Sequence, residues 1–285
     1  MGETAIAGID HCIIGVRDLE AARAAYARLG FTVTRRGRHM GWGTANYCIM
    51  FGPDYLELLG IINPEEFNAG LDEFLKKRQG LLRIVCRSDD LERTRTHLSA
   101  QGFAPGEVQD LGRYLEMPEG DVTPRFKLSH LPEVDTPGLA TFMCQHLTPE
   151  MVWRPEWMTH ANGATAVYAY TILHHDPASL AACYERFFDH PVLVQAQRII
   201  VETGGGKFVF CTREDLANLH PGILWDGPFD DGTMVAATIA VEETDRTAQV
   251  LSENGVGFTR HDDGSVLVGA DAACGTVLQF QAIYR

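Results

Sequence analysis

Residues 8–31 read GIDHCIIGVRDLEAARAAYARLGF. A short apolar run, DHCIIGV, is followed by Asp18, whose side chain can accept hydrogen bonds from the free N–H groups of a helix's first turn. Apolar residues then recur at helical spacing at Leu19, Ala22, Ala25, Tyr26 and Leu29. Gly30 can take the left-handed conformation that ends a helix. The stretch predicts a strand, a capped helix and a stop, and it decides the fold because it recurs.

Residues 80–103 read GLLRIVCRSDDLERTRTHLSAQGF, and residues 235–258 read VAATIAVEETDRTAQVLSENGVGF. In all three, a Gly (Gly30, Gly102, Gly257) lies twelve positions after an Asp (Asp18, Asp90, Asp245). A weaker copy, AVYAYTILHHDPASLAACYERFFD, carries Asp176, with Phe188 in the Gly position. Strand-like runs follow each copy, among them TANYCIMFG, DYLELLGI, KFVFC, SVLVGA and TVLQFQA. Self-similarity at a fixed period marks repeated supersecondary units. Each unit reads as βαβββ, an α+β design that leaves one sheet face uncovered, so the four units should pair. This predicts an N-terminal domain over 1–147, a Pro- and Trp-rich linker over 148–163 and a C-terminal domain over 164–285.

Composition narrows the function. The chain has 285 residues with 24 basic and 38 acidic side chains, a formal net charge of −14. That balance argues against nucleic acid and anionic membrane as partners, because both need a basic surface. No apolar run approaches the roughly 18 residues a bilayer span requires. The opening MGETAIAGID lacks the basic and apolar regions of a secretory leader. Seven cysteines, odd in number and without a C-x-x-C pair, mostly sit in apolar runs. That pattern predicts a reducing, cytoplasmic setting. The expected partner is a small molecule, and the expected assembly a homodimer.

The repeat resembles the vicinal oxygen chelate superfamily, the glyoxalase/bleomycin-resistance/extradiol-dioxygenase fold. The resemblance is carried by residues 8–31, by YLELLGI at 55–61 and by TRRGRHMGWGTAN at 34–46, a stretch similar to one in glyoxalase-like proteins. It implies four βαβββ modules paired into two incomplete barrels. It also implies a divalent metal (Zn, Fe, Mn or Ni) held by the first and last strands of a module pair. On that pattern His11 matches the usual first ligand and Glu57 the usual fourth-strand carboxylate. The second module places Arg83 where the first has His11. Arg83 can clamp a substrate carboxylate or phosphate, or pair with Glu57 in a metal-free site. The last strand of that module, TFMCQH at 141–146, offers Gln145 or His146 at the fourth-ligand position. His146 is the better ligand chemically, and Gln145 the better fit to the pattern. In the C-terminal half Ala169, Thr238 and Gln279 replace the ligands, so no metal site of this kind is expected there.

Single residues support the reading. Glu57 stands in an otherwise apolar strand, where a carboxylate is costly unless paired or metal-bound. His39, Trp42 and Asn46 lie in the Gly-rich 34–46 stretch, a place where loops hold substrate groups. Arg83 in the candidate cup, with Arg35, Arg36 and Arg38 in the nearby loop sequence, suggests a locally positive pocket in an acidic protein. GGGK at 204–207 lacks the spacing of a phosphate loop and predicts a hairpin turn. The expected function is a metalloenzyme of lyase, isomerase or hydrolase type, with His11 and Glu57 catalytic and Arg83, His39, Asn46, Trp42 and Gln145 on the substrate. The alternatives are an Fe(II) extradiol dioxygenase, which needs two His and a carboxylate, and a metal-free binding protein of the drug-sequestering kind.

Overall fold

The computed structural model describes residues 6–283. Residues 1–5, with which the stretch read as leaderless begins, and residues 284–285 lie outside the described residues. The first half runs β1 (Ile9–Gly15), α1 (Leu19–Arg28), β2 (Gly37–His39), β3 (Thr44–Met50), β4 (Tyr55–Ile61), α2 (Leu71–Lys77), β5 (Gly80–Arg87), α3 (Leu91–Ala100), β6 (Gln109–Leu115), β7 (Arg125–His130) and β8 (Thr141–His146). The second half runs β9 (Ala164–Leu173), α4 (Ala181–Phe188), β10 (Val192–Val194), β11 (Arg198–Glu202), β12 (Lys207–Cys211), α5 (Leu216–Leu219), β13 (Met234–Val241), α6 (Thr244–Glu253), β14 (Thr259–Arg260), β15 (Val266–Val268) and β16 (Val277–Ala282).

The helix caps follow local chemistry. Asp18 Oδ1 accepts the Ala21 N–H at 2.9 Å, and Asp90 Oδ1 accepts the Arg93 N–H at 3.1 Å. Gly30 and Gly102 then take φ of +89° and +85°. The last helix departs from the expected frame. Its N-cap is Glu243, not Asp245, and the left-handed residue behind it is Gly255, at φ +66°, not Gly257. The spacing of twelve is kept, two residues earlier than the Asp245–Gly257 pair. Asp189, one position past Phe188, takes the left-handed place behind α4 with φ +54°.

The strands form two eight-stranded sheets. The first, in the order β1-β4-β3-β2-β6-β7-β8-β5, is a closed barrel, because β2 pairs with β6 and β5 with β1. An incomplete barrel was expected, so the β2–β6 seam is a correction. The second sheet is open, in the order β10-β11-β12-β9-β13-β16-β15-β14, and GGGK turns the β11–β12 hairpin as expected. Strand alternation divides the side chains between two cores. Cys12 and Ile14 of β1 face outward into a core that joins α1, β5, β9 and β13. Ile13, Tyr55 and Leu59 face into the barrel. At the junction of the two halves Phe31 packs against Phe51 and Phe280. His160 bridges nearby: its Nδ1 accepts the Thr32 N–H at 3.0 Å and its Nε2 donates to the Met50 carbonyl at 2.9 Å. All seven cysteines are free thiols. Among the described residues no helix is long and apolar enough to cross a membrane.

Two irregularities in the β1–β5 ladder shape the barrel interior. The pairing steps from Ile9↔Cys86 to His11↔Val85, leaving Asp10 as an extra residue in β1. It steps again from Ile13↔Arg83 to Ile14↔Leu81, leaving Leu82 extra in β5. Such bulges re-aim side chains. The two are symmetric about Cys12↔Ile84, so Arg83 holds the place in β5 that His11 holds in β1. The same argument centred on Tyr170↔Ala237 puts Ala169 and Ala236 in those places in the second sheet. Ala236, not Thr238, is therefore the counterpart of His11 in the last repeat.

Candidate functional site

The barrel interior opens as a cup lined by His11 and Ile13 from β1, His39 from β2, Glu57 and Leu59 from β4, Arg83 from β5, Arg113 from β6 and Phe142 and Cys144 from β8. Trp42, Leu82, Leu111, Phe126, Leu128 and His130 complete the wall, and Asn68 and Ala69 reach it from the loop before α2. The space, mouth included, is about 760 Å³. Its walls are mostly apolar with a few convergent polar groups, the make-up of a small-molecule site.

Glu57 is the centre of the polar end. It is 5% exposed, and each carboxylate oxygen faces an imidazole. His11 Nε2 is 3.3 Å from Oε2, and His39 Nε2 is 3.7 Å from Oε1. Asn46 Nδ2 donates to Oε1 at 2.5 Å. Asn46 can sit there because Gly37 lies opposite it in the β2–β3 ladder. A Cβ at Gly37 would collide with Asn46 Oδ1 and stand 3.2 Å from Cδ of Arg113. His39 Nδ1 lies 2.9 Å from the Thr44 hydroxyl, and Tyr55 stacks on the His11 ring at 4.3 Å.

Behind His11 lies Asp10, fully buried. His11 Nδ1–H donates to Asp10 Oδ1 at 2.5 Å, and His146 Nε2–H donates to the same oxygen at 3.1 Å. Asp10 Oδ2 and His146 Nδ1 are buried without a partner. Burial works to push the Asp10 carboxyl up, but the two histidines outweigh it and hold the group well below the usual carboxylate range. Burial likewise works against Glu57, and His11, His39 and Arg113 hold its pKa down at about 2. Burial works to lower the His11 pKa; its bonds to Asp10 and Glu57 win and raise it. His39 moves the other way, lowered by burial despite Glu57, so its ring is neutral.

The expected residues divide accordingly. His11, Glu57, His39, Asn46, Trp42 and Arg83 gather in or against the cup. Arg83 makes no ion pair with Glu57 among the described residues. Gln145 turns to the outer face, where its Oε1 accepts the Leu91 N–H and its Nε2 donates to the Asp89 carbonyl, fastening the start of α3. His146 shares the inward face of β8 with Phe142 and Cys144, but it sits behind His11 and bonds Asp10, among Phe126 and Trp153. The β5–β8 register explains both. Ile84↔Thr141 corresponds to Cys12↔Leu56, so Phe142, not Gln145 or His146, is the counterpart of Glu57. Arg36 and Arg38 pair with Glu116, and Arg38 also with Asp121, at half-exposed positions away from the cup. They lend it no free charge. In the second sheet Gln279 does hold the place of Glu57, through Ala237↔Leu278. There His220 plugs the interior, 2.8 Å from the Thr171 hydroxyl and 2.5 Å from Gln279 Oε1.

Two residues went unread in the sequence. Asp10 is marked there only by standing next to His11. Arg113 lies between Leu111 and Leu115 on one face of DLGRYLEM, a charge in an apolar alternation. Its burial depends on the β2–β6 seam, where it lies opposite His39.

Asp10, Cys144 and His146 also bring ligand-type atoms within 4.8 Å of one another. The donors around Glu57 are spread more widely, with His11 and His39 nitrogens 3.3 and 3.7 Å from its two oxygens. They are neutral or deprotonatable imidazole nitrogens and an ionised, desolvated carboxylate, the donors that suit Zn, Fe, Mn or Ni.

Solved structures give the same architecture. A hypothetical protein from Staphylococcus aureus aligns with a TM-score of 0.68 at 12% identity, covering 96% of this chain and 99% of that one. A triple mutant of 4-hydroxymandelate synthase from Streptomyces coelicolor aligns at 0.61 and 12% identity, covering 99% and 95%. A xylose isomerase-like TIM barrel/4-hydroxyphenylpyruvate dioxygenase fusion protein aligns at 0.57 and 13% identity, covering 99% of this chain and 50% of that one. At such identities the likeness is one of fold. No curated protein sequence matches the chain. The glyoxalase-like domain model matches residues 9–188, which hold the whole closed barrel and continue through α4, and the chain thus belongs to the glyoxalase-like domain family of the vicinal oxygen chelate superfamily.

Proposed function

We propose that the closed barrel is the active site of a divalent-metal enzyme acting on a small oxygenated substrate, with chemistry of the lyase, isomerase or hydrolase kind. One observation carries the reading: Glu57, buried and ionised, presents one oxygen to His11 and the other to His39. A carboxylate in that position is costly unless a cation meets it. His11 and Glu57 would hold the metal, with His39 as the third group, and Asp10 would fix the His11 ring from behind as partners of metal-binding histidines do. The bound cation would supply Lewis acidity toward neighbouring substrate oxygens. The chain's own groups have separate tasks. Asn46 orients Glu57, Glu57 is the base nearest the reacting end, Trp42 and the leucine and phenylalanine wall exclude water, and Arg83 faces the substrate across the cup.

The four βαβββ units are read as two domains, 1–147 and 164–285, with only the first equipped for chemistry. A ring-cleaving Fe(II) dioxygenase is the second reading. It is favoured by the presence of two imidazoles and one carboxylate, the donor count such iron sites use. Metal analysis of purified protein tests both. About one equivalent of restorable metal, lost in His11→Ala and Glu57→Ala, is the expected result. Metal content that is substoichiometric, cannot be restored and is unchanged in both variants would sink both readings. Oxygen uptake with catechols by the iron-loaded protein would select the dioxygenase.

A further inference from the structure

Arg113 is 4% exposed yet lines the cup. A guanidinium stays charged at any physiological pH, and a buried charge normally has a counter-ion. Arg113 makes no ion pair among the described residues. Its Nη1 donates to the Cys48 sulfur at 3.4 Å, a weak acceptor, its Nε is buried without a partner, and its planar head stands 5.6 Å from the Phe126 ring centre. Arg36 and Arg38, at the same β2–β6 seam but half-exposed, are satisfied by Glu116 and Asp121. Arg83 also lines the cup but is only partly buried, so Arg113 is the enclosed guanidinium there.

The wall beside Arg113 is apolar, made of Leu111, Phe126, Leu128 and Phe142.

Resting on the reading of this cup as a small-molecule site, we propose that its substrate is a monocarboxylate with an apolar, ring-sized body, the carboxylate seated on the Arg113 guanidinium and the body against Leu111, Phe126 and Phe142. Arginine and carboxylate match as a two-bond fork. The pair would form away from water, where such a charge-assisted contact is strongest. Arg113 is thus a specificity-determining residue.

The test compares phenylacetate with its neutral isostere phenylacetamide by calorimetric titration, on chelator-treated and on Zn-loaded protein. Wild type is expected to bind phenylacetate at least about tenfold more tightly than the amide in both forms, the ratio an ionic hydrogen bond gives. In Arg113→Met the ratio should fall to about one, and in Arg113→Lys, which keeps the charge without the fork, to an intermediate value. Arg36→Met, outside the cup and paired with Glu116, should leave it high. Equal binding of the two probes to wild type, no binding of either, or a ratio that survives in Arg113→Met would overturn the proposal. The wild-type comparison holds even if the methionine variant misfolds. Metal content separates the two readings. A carboxylate preference in a protein that takes up no metal keeps this proposal and removes the metalloenzyme reading. Stoichiometric metal with no preference does the reverse.

Discussion

Asp10 Oδ1 holds Nδ1 of His11 at 2.5 Å although the two residues are consecutive in a strand, where side chains normally point to opposite faces. The bulge at Asp10 is what allows it. The bond fixes the tautomer, leaving Nε2 to face Glu57. Partners of this kind typically change metal affinity by roughly 10- to 100-fold when removed. Asp10→Asn should weaken metal binding by about that factor while far-UV circular dichroism stays unchanged. Chelator competition measures it, and an unaltered affinity would show that Asp10 does not orient the ligand.

Metal uptake should depend on pH in one direction. Burial works to lower the His11 pKa, but Asp10 and Glu57 raise it, so a proton on His11 persists to higher pH than on a free imidazole. Glu57, held at about 2, is already ionised. The cation therefore competes with one proton. Affinity is expected to rise about tenfold per pH unit below the His11 pKa and to level above it. A flat profile from pH 5 to 8 would contradict the assignment of His11 as a ligand.

His220 carries an acid-stability signature for the second sheet. Burial pushes its pKa from 6.5 down to about 4, despite the bond to Gln279. The folded value lies below the unfolded one, so its stabilising contribution is complete above about 6.5. As pH falls from there to 4 the unfolded chain takes up a proton that the folded chain refuses. Stability should drop by roughly 3 kcal/mol across that window from this group and flatten below it. Urea unfolding at pH 7 and 4.5 should show a smaller loss in His220→Gln than in wild type.

Phe31 tests whether the two halves share one core. It is 4% exposed, stacks on Phe280 of the second sheet and meets Phe51 and His160 edge-on. Phe31→Ala should cost about 3–5 kcal/mol and lower a single unfolding transition. Two separate transitions, of which only one moves in the variant, would argue for independent cores.

Much of this was legible in the chain because its signals are local. Asp18 and Asp90 cap their helices through bonds that span three residues, and Gly30 and Gly102 stop them. Strands β3, β4, β8 and β12 carry their own alternation or apolar runs. Spacing alone misled at Asp245, because Glu243 caps α6 without a side-chain bond and so leaves no chemical mark. The failures at the site have another cause. Which way His146, Gln145 and Phe142 face depends on the β5–β8 register, and which residue answers His11 depends on two extra residues in paired strands. Both are set by partners far along the chain. Arg113 is the plainest case, since nothing near it in sequence tells that β2 and β6 will close over it.

The paired bulges have one more consequence. Two like modules facing across an axis would make a cup with equivalent ends, in which a ligand could lie either way round. The same distortion in β1 and β5 instead delivers Asp10 and His11 on one side and Leu82 and Arg83 on the other. The cup thereby has a head and a tail. A prochiral molecule bound among His11, Glu57 and Arg113 would meet an imidazole, a carboxylate and a guanidinium, so its two faces would be distinguished before any bond is made or broken. Handedness in the product would then come from two single-residue insertions in the ladder, with the scaffold itself left nearly symmetric.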